Sequence, residues 1–118
     1  MLRRLALALP LLSWTAMPAA AHHGWGGYDA AAPVTLSGTI ERVAPAGPHA
    51  MLWLRTAEKT WEVVLAPPSR MANRGLPATR LQQGQQVEVM GYPHRQHADE
   101  LRAEWIRPAG AGQPTQLR

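Results

Sequence analysis

The chain contains no cysteine. That excludes disulfide staples, thiolate metal sites, a cysteine nucleophile and an acylated lipoprotein cysteine. Phenylalanine is also absent, so the bulky apolar groups available to a core are aliphatic side chains and tryptophan. No apolar run approaches the roughly 20 residues that a membrane-spanning helix needs. Clustered Lys and Arg are missing too: the formal net charge is +4, spread along the chain, and Arg3 and Arg4 account for part of it. A nucleic-acid partner is therefore not expected, because phosphate-binding surfaces usually show basic clusters. There is no Gly-x-Ser-x-Gly nucleophile motif, phosphate loop or dinucleotide fingerprint. Ser37, Ser69, Glu62 and Glu88 lack partners at a telling spacing and read as ordinary surface or strand positions.

What is present begins with an export signal. Arg3 and Arg4 form a positive n-region, Leu5 to Leu12 a short apolar run, and Pro18-Ala19-Ala20-Ala21 a small-residue cleavage site. Residues 1–21 are expected to be removed, leaving a periplasmic or secreted protein with no stable membrane span. The new N-terminus would be His22, with Ala21 as the second choice of start.

Beyond the seam, residues 22–33 form a His- and Gly-rich lead-in anchored only by Trp25 and Tyr28. Five short strands follow, by period-two alternation and β-branched content, near residues 34–43, 49–56, 60–66, 86–92 and 100–107. Gly38 inside the first marks a bulge or bend. Pro67-Pro68 ends the third strand. A short helix is expected at 68–74, with Ser69 as its cap and Gly75 as its left-handed terminator. The order is that of an all-β, five-stranded OB-like barrel with one helix between strands three and four, spanning residues 34–107. A plain five-stranded antiparallel sandwich is the other reading of the same periodicity. Residues 108–118, rich in Gly, Pro and Gln, are expected to be a disordered tail. Trp25, Trp53, Trp61 and Trp105 are expected in the core, where each ring buries a large area.

The chain resembles the small exported bacterial proteins of domain-of-unknown-function family 6152. The resemblance rests on His22-His23, Tyr28-Asp29, Val34 through Ile40, Pro48-His49-Ala50 and Trp61-Glu62. It continues through Arg74-Gly75-Leu76, Gly84 with Val87-Glu88-Val89, and Gly91-Tyr92-Pro93. Two positions depart from the family pattern: Gly47 replaces an Asn before the Pro-His step, and Gly24 replaces a Ser after the His pair. The resemblance implies an OB-like fold and export, and brings no established activity.

The residues with most chemistry are the five histidines. On an OB barrel His49 would end the loop between strands one and two, while His94 and His97 would lie between strands four and five. Those loops border the usual OB binding face. Cleavage after Ala21 would let the amine and ring of His22 chelate a metal, with His23 or His49 completing a T-shaped nitrogen set. Cleavage after Ala20 would instead offer a square-planar amine, amide and imidazole set ending at His23. Both favour copper. His22, His23, His49, His94 and His97 are thus the candidate metal ligands. Each has a plainer reading: a solvated lead-in for the pair, a hydrogen-bonded packing residue for His49, loop surface for His94 and His97. The functional expectation is an exported, non-enzymatic OB-like module that binds copper. The alternatives are a metal-free interaction module for a peptide, glycan or envelope partner, and a copper-dependent oxidative enzyme.

Overall fold

The computed structural model describes residues 24–118. The expected signal segment, His22 and His23 lie outside them. Six strands and one α-helix follow in the order β1 (Val34–Ala44), β2 (Met51–Arg55), β3 (Thr60–Val64), α1 (Pro68–Asn73), β4 (Gln86–Pro93), β5 (Glu100–Pro108) and β6 (Thr115–Gln116). Neighbouring strands run β3-β2-β1-β4-β5-β6, and an additional pairing joins β3 to β5. That pairing is parallel, Glu62 to Val64 against Glu100 to Arg102. It turns an open sheet into a closed five-stranded barrel and rules out the sandwich.

Alternation sorts the side chains as the period-two pattern requires. On β2, Leu52 and Leu54 are fully buried while Met51 and Trp53 are half-buried on the outer face. Ile40, Val63, Val89, Leu101 and Ile106 join them in one continuous core. β1 serves two neighbours, β4 along Val34 to Thr39 and β2 along Thr39 to Ala44. Gly38 sits at this change of partner. A Cβ there would lie 2.2 Å from the Arg55 carbonyl oxygen, so the absent side chain permits the sharp bend expected at this position.

The helix starts at Pro68, not under a Ser69 cap, because Pro67 takes the N-cap position and Pro68 the first turn, where its missing N–H costs nothing. It ends as expected on Gly75, at φ +85°. Gly75 N–H donates to the Ala72 carbonyl and Leu76 N–H to that of Met71, both at 3.0 Å, the two bonds of a Schellman turn. The turn returns Leu76 to the core edge, and Met71 is fully buried in the core.

Two further expectations are corrected. Residues 108–118 are not a loose tail: β6 pairs Gln116 with Trp105 and Thr115 with Ile106, and Leu117 is buried in the core at 3% exposure. The tryptophans are not core either; Trp25, Trp53, Trp61 and Trp105 are all half-buried. Aliphatic side chains fill the barrel, and cations cover the outer rings. The Arg42 guanidinium lies 3.6 Å from the Trp53 ring centre, and the Lys59 ammonium 4.0 Å from that of Trp61. Trp61 alone of these two also packs against the core. No helix among the described residues is long and apolar enough to cross a membrane.

Candidate functional site

The lead-in is built onto the barrel. Trp25–Gly27 form a single 3-10 turn, after which Gly27 to Asp29 run beside the end of β4. Asp29 N–H donates to the Pro93 carbonyl and Arg95 N–H to that of Gly27, each at 2.8 Å. Tyr28 and His94 form an antiparallel bridge between them. Gly27 makes this crossing close: a Cβ there would stand 3.0 Å from His94 Nε2, so the imidazole would have to give way. The segment immediately after His23 is therefore fixed between the β4–β5 loop and strand β5.

Arg102 is the centre of the cluster. It alternates outward on β5 between Leu101 and Ala103, yet only 8% of it is exposed, because the lead-in covers it. Its guanidinium carbon lies 4.0 Å from the Trp25 ring centre and 5.8 Å from that of Tyr28. One of its terminal nitrogens is 3.3 Å from His49 Nε2. Trp25 also meets Tyr28 and Tyr92 edge-on, at 6.2 and 5.9 Å between ring centres, and lies 4.8 Å from the Arg118 guanidinium. Burial pushes the Arg102 pKa down, and the positive charges of Arg70 and Arg118 push the same way, while Tyr28 opposes them. The sequence shows no basic run, but the fold brings these three arginines within electrostatic range of one another.

Tyr28 Oη donates a 2.5 Å hydrogen bond to Glu100 Oε2. Burial, this bond and the carboxylate charge, in that order, raise the phenol well above its ordinary pKa. Tyr28 is thus held as a neutral donor. The Tyr28 ring meets His94 edge-on at 5.0 Å, and His94 lies against His97 at 4.3 Å between ring centres. His94 Nδ1 accepts the backbone N–H groups of Gln96 and His97, both at 3.1 Å. Neutral His94 therefore carries its proton on Nε2, which faces Glu100 Oε2 at 4.0 Å.

The geometry divides the five candidate ligands. His94 and His97 come together, with His94 engaged by the loop and crossed by Gly27. His49 stands at Arg102, linked to the other two through Tyr28 and Glu100. His22 and His23 precede the described residues. Among those, no three His, Asp or Glu side chains are grouped closely enough to hold a metal ion. Arg102, Glu100 and Tyr92 are the cluster members that the sequence reading missed.

The family model described as "Family of unknown function (DUF6152)" matches residues 10–102. The chain belongs to this family. The matched span holds all five histidines and Arg102; β6 and Arg118 of this DUF6152 protein fall beyond it. No curated protein matches the chain. Among solved structures it is similar to a chain of the S. pombe Stn1–Ten1 complex, with 16% identity and a TM-score of 0.55, covering 66% of this chain and 58% of that one. It is similar to asparaginyl-tRNA synthetase from Pyrococcus horikoshii, with 19% identity and a TM-score of 0.52, over 68% of this chain and 20% of that one. A third likeness is to TiaS in a complex with a tRNA and ATP, with 19% identity and a TM-score of 0.51, over 64% of this chain and 18% of that one. The DUF6152 chain thus spans little more than half of the first of these and about a fifth of the other two. At such identities the likenesses show a shared barrel fold and nothing of partners.

Proposed function

We propose that this DUF6152 protein is an exported OB-like module that binds Cu(II) through a processed N-terminus beginning at His22. The His22 amine and ring chelate the ion, His23 is the next donor, and His49 is the ligand supplied by the barrel. His94 and His97 form a second-choice pair. One observation carries the reading. Trp25, two residues after His23, rests on Arg102, and Arg102 also reaches His49 Nε2 at 3.3 Å. Trp25 is thus anchored beside the barrel histidine, and three extended residues, the distance in sequence back to His22, can span roughly 10 Å. A chelating amine with imidazoles suits copper better than a structural zinc site, which is usually closed by four side chains.

The test is a Cu(II) titration of protein recovered from the periplasm, its terminus established by intact mass. Binding should exceed that of the His22→Ala, His23→Ala double variant by at least about tenfold. Equal binding would refute the metal reading and leave the interaction-module reading, in which the outer face of β2 and β3, with Trp53 half-buried under Arg42, docks the partner. A recovered mass that retains Arg3 and Arg4 would refute export processing.

A further inference from the structure

We infer that Arg70, Arg74 and Arg118 form a docking surface for the phosphate headgroups of an anionic bilayer. The inference goes beyond the metal reading and does not depend on it.

The three arginines come from distant parts of the chain and are gathered by one local structure. Arg70 lies in α1 and Arg74 is its C-cap. Four residues apart, they leave the helix on the same side. Both reach over the last residues: Arg70 donates to the Leu117 carbonyl and Arg74 to the Arg118 backbone oxygen, each at 3.3 Å. Those bonds set two guanidiniums beside Arg118, and all three residues are exposed. The Arg118 guanidinium lies 4.8 Å from the Trp25 ring centre, and buried Arg102 approaches the same ring at 4.0 Å.

Charge sets this end of the molecule apart. Elsewhere Lys59 faces Asp99 at 3.1 Å, Arg107 faces Glu88 at 2.9 Å and Arg95 faces Asp29 at 3.8 Å. Here Arg70, Arg74 and Arg118 share one side-chain carboxylate among the described residues, Glu104, which Arg118 approaches at 3.7 Å. Arg102, whose pKa is lowered first by burial, also feels the positive charges of Arg70 and Arg118. A phosphate partner supplies the missing negative charge: each guanidinium carries five N–H donors in a plane that matches phosphate oxygens.

Shape and surroundings select the kind of phosphate. The arginines line neither the cleft at Ser37 and Arg107 nor the one at Glu62 and Glu100. A row of exposed charges outside a cleft suits an extended anionic surface better than one enclosed ion. The aromatic ring among them, Trp25, already lies against Arg102, Arg118, Tyr28 and Tyr92. It is not an open platform for the base stacking that single-stranded nucleic acid uses. Headgroups need no stacking.

The experiment co-sediments the chain, as recovered from expressing cells, with vesicles of phosphatidylglycerol and phosphatidylcholine in equal parts, and with phosphatidylcholine alone. Each arginine near an anionic surface contributes about fivefold to partitioning, so Arg70→Gln, Arg74→Gln should weaken binding to the anionic vesicles by about 30-fold. Glutamine keeps an N–H donor for the two backbone oxygens. Arg70→Lys, Arg74→Lys keeps the charge and should retain most of the binding; a loss equal to that of the glutamine variant would overturn the surface. A further measurement needs no variant: salt at about 1 M, where the screening length is about 3 Å, should release the unsubstituted protein from the anionic vesicles. Equal binding to both vesicle types, or binding unchanged in the glutamine variant, would also overturn it. A DNA duplex that displaces the protein from vesicles at equal phosphate concentration would assign the arginines to nucleic acid and overturn the bilayer.

Discussion

Gly91→Ala tests whether the barrel's closure has the geometry described. At position 91 a Cβ would sit 2.2 Å from the Arg102 carbonyl oxygen, 2.8 Å from its carbon and 2.9 Å from Ala103 Cα. All three are backbone atoms, so no side chain can swing away. The methyl needs about 1 Å more room, which only separation of β4 from β5 provides, and Gly91 pairs with Ala103 directly after the register shift at Met90. Overpacking of this kind costs about 1–3 kcal/mol, and a backbone neighbour places this site at about 3. For a domain of this size each kcal/mol lowers Tm by about 4–8 °C, so a fall of about 12–24 °C is expected. Urea unfolding gives the free energy and a thermal melt gives Tm. Gly26→Ala is the control: nothing lies within 4 Å of its added Cβ, and it should stay within about 0.5 kcal/mol. If Gly91→Ala loses less than about 1 kcal/mol, β4 and β5 do not approach as described.

Two further outcomes are expected. Leu52→Ala, which empties a fully buried core position, should cost about 2–5 kcal/mol, whereas Trp53→Ala, on the outer face under Arg42, should cost about 1 kcal/mol; urea unfolding would reveal an inverted order and with it a core built on tryptophan. The Tyr28 phenol is raised above its unfolded value near 10 by burial first and by Glu100 second, so its contribution is complete below pH 10 and is lost as pH climbs toward the folded value. There the unfolded chain gives up a proton that the folded one keeps, and stability should fall by up to about 1.4 kcal/mol per pH unit from this group. Tyr28→Phe should have a shallower alkaline slope; identical slopes would mean that Tyr28 ionises freely in the folded protein.

The strands were legible because each alternates within its own sequence. Val34 to Ile40 and Val87 to Gly91 carry the period-two signal that burial on one face requires, and their observed limits lie close to those expected. The Gly75 stop was equally local. What the sequence hid depends on partners far away. Arg102 reads as an outward strand residue, and nothing near it says that Trp25 and Tyr28 will fold over it. The tail has one buried apolar residue, Leu117; its order comes from the edge of β5, not from a pattern of its own. Tryptophan misled because its ring is satisfied equally by a core or by a covering cation, and Arg42 reaches Trp53 only once β1 and β2 are paired. Among the histidines, residue type and loop position were readable, but the donor that Arg102 presents to His49 was not.

The parallel seam between β3 and β5 also governs when the molecule can fold. Residues 62–64 must wait for residues 100–102, so a chain emerging from the ribosome cannot close the barrel until some forty further residues have followed β3. Until then β3 and β4 have open edges and the core lacks Leu101 and Ile106. Such non-local closure is slow, on the order of milliseconds to seconds for all-β domains. Late closure leaves the chain pliable for most of its synthesis, and the barrel locks only once β5 has met β3.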